Sequence, residues 1–155
     1  MALGELHYEQ PPSAPLLQRW VDAIVAAAVA QGAKPPASTP EAGESPAAWA
    51  QRIDLPDGIA ADAAARVLDA PFVESLIDYR PVAEFVGQFP ISFARQHAVL
   101  GCVEGDGIAL AMSGIDAWPV LDRVARILHE YPKPVFAPRE QILRAINSAY
   151  ERQSS

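Results

Sequence analysis

The sequence predicts an α+β fold, a small three-stranded sheet packed with helices and preceded by a helical N-terminal extension. Two short apolar runs, Val99–Val103 and Ile108–Met112, are joined by Glu104-Gly-Asp-Gly107, whose Asp-Gly pair signals a hairpin. The flanking segments carry apolar residues at helical rather than alternating spacing. A third short apolar piece, Val135-Phe136, lies between prolines and supplies the last strand. The order after residue 89 is helix, strand, strand, helix, strand, helix.

Residues 1–13 hold Pro11 and Pro12 without periodicity and read as a loose tail. From Pro15 to Gln31 a helix is expected, with Leu16, Leu17, Trp20, Ile24, Ala27 and Ala28 on one face. Pro15 suits a first helical position, and Gly32 offers a stop. Residues 33–46 are a Pro/Ala/Ser/Glu linker with little to bury, and a boundary belongs there. Ser45 before Pro46 caps a short helix containing Trp49, and Pro56-Asp57-Gly58 supplies a turn. Ile59 to Leu68 is an alanine-rich helix closed before Pro71. Phe72, Leu76 and Ile77 suggest a further short turn of helix, which Tyr79-Arg80-Pro81 breaks before Val82, Phe85 and Val86 begin another.

In the last third, Ser92 is the expected cap of a helix running through His97. Asp116 is the expected cap of the next, which carries Val120, Leu121, Val124, Ile127 and Leu128 on its apolar face. Pro132-Lys-Pro134 stops that helix, and Pro138 opens the last one, with Ile142, Leu143, Ile146 and Tyr150 as its buried stripe. Three units follow: 1–45 (tail, helix and linker), 46–88 (a helical subdomain) and 89–155 (the small α+β domain).

With 155 residues, half of them hydrophobic, the chain can bury a real core. A net charge of −7 argues against a general nucleic-acid or anionic-membrane binder, and a partner with a basic patch is the more natural complement. The apolar run Trp20–Ala30 contains Asp22 and falls short of the roughly 20 apolar residues of a membrane span. The N-terminus lacks a signal-peptide pattern, so the chain reads as soluble and intracellular. The lone Cys102 sits in an apolar run and reads as a buried structural thiol.

The sequence offers no chemistry. It has no Gly-x-x-x-x-Gly-Lys-Ser/Thr loop, and His7, His97, His129 and Cys102 lack metal-ligand spacing. Ser92 and His97 lack a nucleophile elbow, and capping accounts for the serine. A protonated His97 would favour the C-terminus of its short helix. Arg80 is a candidate bridge between subdomains, although a surface loop position is the simpler reading. Trp20, Trp49 and Trp118 read as core anchors, with Trp20, on a detachable helix, also a candidate for docking a partner. No catalytic, cofactor or metal-binding residue is assigned.

The segment from about Ala60 to Arg152 resembles the N-terminal domain of type II secretion ATPases, motors related to type IV pilus extension ATPases. The resemblance rests on Phe89-Pro-Ile-Ser-Phe-Ala-Arg-Gln-His-Ala-Val-Leu100, the Gly107–Met112 strand, Leu121-Asp-Arg-Val-Ala-Arg126 and the helix from Ile142 to Arg152. Upstream, Ala65-Arg-Val-Leu-Asp-Ala-Pro-Phe-Val73 resembles the segment that precedes this module in longer versions.

The resemblance implies a non-catalytic, cytoplasmic docking domain. Its implied partner is the cytoplasmic domain of an inner-membrane L-type platform subunit, which holds it peripheral to that membrane. It also implies that an ATPase motor follows in the parent protein. The alternative is a regulatory module that binds a cyclic dinucleotide, as some relatives do through paired Arg-Leu-Gly motifs. No Arg-Leu-Gly stands in this sequence, which disfavours that mode. The expected contact residues are Arg95 on the 92–98 helix and Arg123 and Arg126 on the 116–130 helix.

Overall fold

Ser13 opens the first helix, its hydroxyl accepting the Leu16 amide at 3.3 Å, while Pro15 occupies a first-turn position where no donor is missed. The computed structural model describes residues 12–154, so the tail expected at 1–13 lies almost wholly outside the described residues. Helix α1 (Ala14–Ala30) buries Leu16, Trp20, Val21, Ile24 and Ala28. Leu17 and Ala27, expected on this stripe, are only half-buried, because the helix turns its Val21 side inward against the alanine-rich third helix. Trp20 is fully buried and donates its indole N–H to the Ala60 carbonyl at 2.8 Å. It is a core anchor, and the expectation that it docks a partner is overturned.

The linker at 31–44 carries no helix or strand and is mostly exposed. Its end is fastened by Glu44, whose carboxylate takes two hydrogen bonds from Arg52 at 2.8 and 2.9 Å and is held down at a pKa of about 2. Ser45 then caps α2 (Pro46–Arg52) through the Ala48 amide, as its place before Pro46 predicted. Helix α3 (Ile59–Leu68) follows the Pro56–Gly58 turn with the predicted bounds. Its small side chains let α1 lie close, and Ala61, Ala63, Ala64 and Ala65 are all buried.

The helical turn expected around Phe72, Leu76 and Ile77 does not form. Phe72 bridges Phe136 in parallel, with Val73 N–H donating to Phe136 O and Phe136 N–H to Pro71 O, both at 2.9 Å. Pro81 bridges Cys102 in antiparallel fashion, with Val82 N–H donating to Gly101 O at 2.9 Å and Val103 N–H to Arg80 O at 2.7 Å. Segment 71–82 is thus a strap whose ends close the two outer edges of the sheet. Unpaired edge amides outweigh the weak helical pattern of three apolar residues. Arg80 is exposed, the simpler of its two readings.

The sheet contains β1 (Val99–Glu104), β2 (Gly107–Met112) and β3 (Lys133–Phe136) in that order, β1–β2 antiparallel and β2–β3 parallel. The predicted hairpin is present, but Glu104 pairs with Gly107, so Gly105-Asp106 forms its centre, with Gly105 at φ +55°. Helix α4 (Ala83–Gln88) carries Phe85 and Val86 inward. Helix α5 (Ile91–His97) starts from Pro90, and Ser92 lies exposed inside the first turn, not at the cap. Proline needs no donor satisfied there and fixes the entry.

Asp116 likewise does not cap α6. A 3-10 turn at Ile115–Ala117 feeds into α6 (Pro119–Leu128), where Pro119 takes the first position. Helix α6 buries Val120, Leu121, Val124 and Leu128 as predicted, whereas Ile127 is 40% exposed. The last helix, α7 (Arg139–Ser154), buries Ile142, Ile146 and Tyr150, and leaves Leu143 half-buried. One hydrophobic cluster runs from Leu16 of α1 through Trp49, Phe85 and Trp118 to Tyr150 of α7.

Candidate functional site

Helix α5 packs against α7, and Arg123 reaches it from α6. Arg95 reaches α7 and donates to Asn147 Oδ1 from Nε at 3.1 Å and from its terminal nitrogen at 2.6 Å. Arg123 of α6 lies over the Phe93 ring of α5, 5.2 Å from its centroid. Arg126 pairs at 2.8 Å with Asp122, one helical turn back. All three belong to exposed residues, and each is held by a contact that limits its rotamers. The structure brings Arg123 and Arg126 onto the solvent face of α6 and puts Arg95 on the α7 flank of α5.

Beneath these arginines runs an aromatic ladder with four-residue spacing. Phe85 stacks on Phe89 at 4.7 Å, Phe89 meets Phe93 at 5.2 Å, and Phe93 meets His97 at 4.6 Å between ring centroids. The Tyr150 hydroxyl closes the ladder against α7 by donating to Phe89 O at 2.8 Å. The i, i+4 spacing of these four residues was the available signal for it.

Burial, then the positive charge of Arg123, lower the His97 pKa below the ordinary 6.5, and Asp116 opposes them more weakly. This overrides the helix-end preference for a protonated ring. The unfolded chain therefore takes up this proton first as pH falls. The contribution of His97 to stability is present above about pH 6.5 and is lost as pH falls through the folded value. His97→Gln is expected to gain stability relative to the parent on moving from about pH 7.5 to about pH 5.5, as measured by urea denaturation. Parallel curves for the two proteins would contradict this assignment.

A cleft of about 600 Å³ opens between the α2–α3 region and the starts of the 3-10 turn and α7, lined among others by Ser45, Asp57, His97, Asp116 and Arg139. Asp57 accepts the Glu140 amide at 3.2 Å and so supplies a carboxylate to the α7 N-terminus. Asp116 is reached by solvent from within the cleft, yet surrounding protein raises its pKa, against weaker opposing effects that include Arg139, His97 and the Ser45 hydroxyl. Ser45 spends its hydroxyl on capping α2 through the Ala48 amide at 3.1 Å.

Cys102 is 1% exposed, and burial, with Glu104 adding to it, pushes its thiol up to about 12. A thiol so held is not a nucleophile at neutral pH. Among the described residues no three His, Cys, Asp or Glu side chains gather to hold a metal ion, and no described helix is long and apolar enough to cross a membrane. Compared with known proteins, the family model described as MshEN domain matches residues 68–155. No curated protein matches the chain significantly.

Proposed function

Because the chain belongs to the MshEN domain family, the N-terminal domain of type II secretion and pilus ATPases, we propose that it is a non-catalytic docking domain. Secretion ATPases work with inner-membrane platform proteins. In this reading the chain recruits its ATPase motor to the cytoplasmic domain of an L-type platform subunit, and so resides in the cytoplasm at the inner membrane through that partner.

The observation that supports it best is the pair of restrained arginines, Arg95 on the α7 flank of α5 and Arg123 on the solvent face of α6. Arg95 is fixed by Asn147 and Arg123 by Phe93, so little side-chain freedom is left to lose on binding. Against the basic partner that the net charge of −7 suggests for the chain as a whole, these exposed guanidinium groups with preset geometry suit a partner surface that presents carboxylates. The aromatic ladder anchors α5 to α4 and α7, and the Arg123 contact with Phe93 ties α6 to it.

The test is calorimetric titration of the L-type cytoplasmic domain with the parent chain and with Arg95→Ala/Arg123→Glu. The double variant is expected to weaken binding by at least about tenfold, which equals roughly 1.4 kcal/mol. Unchanged affinity would remove the arginines from the interface. A cyclic dinucleotide that raises the melting temperature of the chain would favour the regulatory alternative instead.

A further inference from the structure

The strap that closes the sheet edges also displays a side chain that the fold does not use. Ile77 is 87% exposed, while its neighbour Leu76 is 3% exposed and anchors the strap in the core. The turn is held in shape by Ile77 N–H donating to Ser75 Oγ at 3.2 Å and Tyr79 N–H donating to Leu76 O at 3.0 Å. With both strap ends hydrogen-bonded to the sheet, Ile77 is a presented knob, not a loose loop residue. Glu74 and Asp78, both exposed, flank it.

On α6 the pattern recurs with the opposite sign. Ile127 is 40% exposed and shares a helix face with Arg123 and Arg126, which are also exposed. One surface therefore carries Glu74, Ile77 and Asp78, with exposed Arg80 two residues on, and the other Arg123, Ile127 and Arg126, the last also paired with Asp122. The two lie in halves of the chain that differ in charge. Residues 1–88 hold five basic and twelve acidic side chains, whereas residues 89–155 hold seven of each. The whole net charge of −7 thus sits in the half that carries the knob.

We propose that the strap knob, Ile77 between Glu74 and Asp78, docks onto the α6 face of Arg123, Arg126 and Ile127 of a second copy of this chain. The contact is heterologous, since the two patches are different surfaces, so each copy keeps one patch open for a further neighbour. Burying two exposed isoleucines against each other supplies the apolar part, and the flanking charges set orientation and rate. An interface this small is weak and transient. Added salt should loosen it, because exposed charge pairs are screened. The inference does not depend on the platform partner, although both uses would occupy α6.

The test is analytical ultracentrifugation of the full chain and of two single variants, Ile77→Asp and Ile127→Asp, each checked for folding by circular dichroism. The parent should associate as its concentration rises to about 1 mM. Each variant alone should weaken association by at least about tenfold. Mixed together, the two variants should form a one-to-one pair and nothing larger, because one retains the α6 face and the other the knob. A parent that stays monomeric over this range overturns the proposal. So does either variant associating like the parent, or a mixture that forms no pair. Ile77→Asp should leave binding to the platform domain unchanged, which separates this contact from the docking reading above.

Discussion

Trp20→Ala is expected to cost about 3–5 kcal/mol of folding stability. The side chain is fully buried, its indole N–H bonds the Ala60 carbonyl at 2.8 Å, and its ring lies over Gly114. A Cβ at Gly114 would fall 2.5 Å from the tip of that ring, so the glycine is what lets α1 come so close to the segment after β2. Truncation opens a cavity beside a helix rich in alanine, whose short side chains cannot reach across to fill it. For a domain of this size the loss corresponds to roughly 10 °C in melting temperature. The transition should remain single, because the hydrophobic cluster joins α1 to the sheet. A loss below about 1 kcal/mol, or a separate early transition for α1, would show that the helix is an appendage.

The second large effect is expected at Gly101 in β1. A Cβ there would meet Cγ and Cδ2 of Phe85 at 2.9 Å. That ring is fully buried and stacked on Phe89 at 4.7 Å, so it has nowhere to retreat. The strand cannot yield easily either, since Gly101 O accepts the Val82 amide of the strap at 2.9 Å. Gly101→Ala should cost about 1–3 kcal/mol by overpacking. Adding Phe85→Leu should recover part of that loss, giving a coupling free energy above about 0.5 kcal/mol in a double-mutant cycle. Strictly additive losses in chemical denaturation would mean that the two side chains do not compete for the same space.

Much of this fold was legible because its cues are local. The Ser45-Pro46 cap, the α3 bounds and the order of elements after residue 89 follow from a capping hydroxyl, a run of alanines and changes in apolar period. The misreadings share a cause, which is that sheet edges and partner helices are not local. Three apolar residues around Phe72 look like helix until the open edge of β3 is in place to pair with them. Trp20 looks detachable until the small residues of α3 and Gly114 make room for it. Ser92 and Asp116 look like caps, but Pro90 and Pro119 set those helix starts by their own fixed φ.

For the site, the arginines were visible as exposed positions on helices, whereas their restraints were not. Asn147 lies 52 residues from Arg95, and Phe93 meets Arg123 only after β1 and β2 have turned the chain back. Ile127 falls on the predicted apolar stripe yet is 40% exposed, because spacing alone does not mark where the stripe ends. Ile77 was missed as an exposed residue for the reverse reason, since a neighbouring apolar pair normally goes inside together.

The most direct measurement is a titration, followed by heat, of the full chain into the purified cytoplasmic domain of the L-type platform subunit proposed as its partner. Saturable binding is expected, reduced by Arg95→Ala/Arg123→Glu and left intact by Ile77→Asp. Absence of binding heat, with cyclic dinucleotide giving a saturating signal on the same sample, would contradict it and assign the domain to ligand sensing.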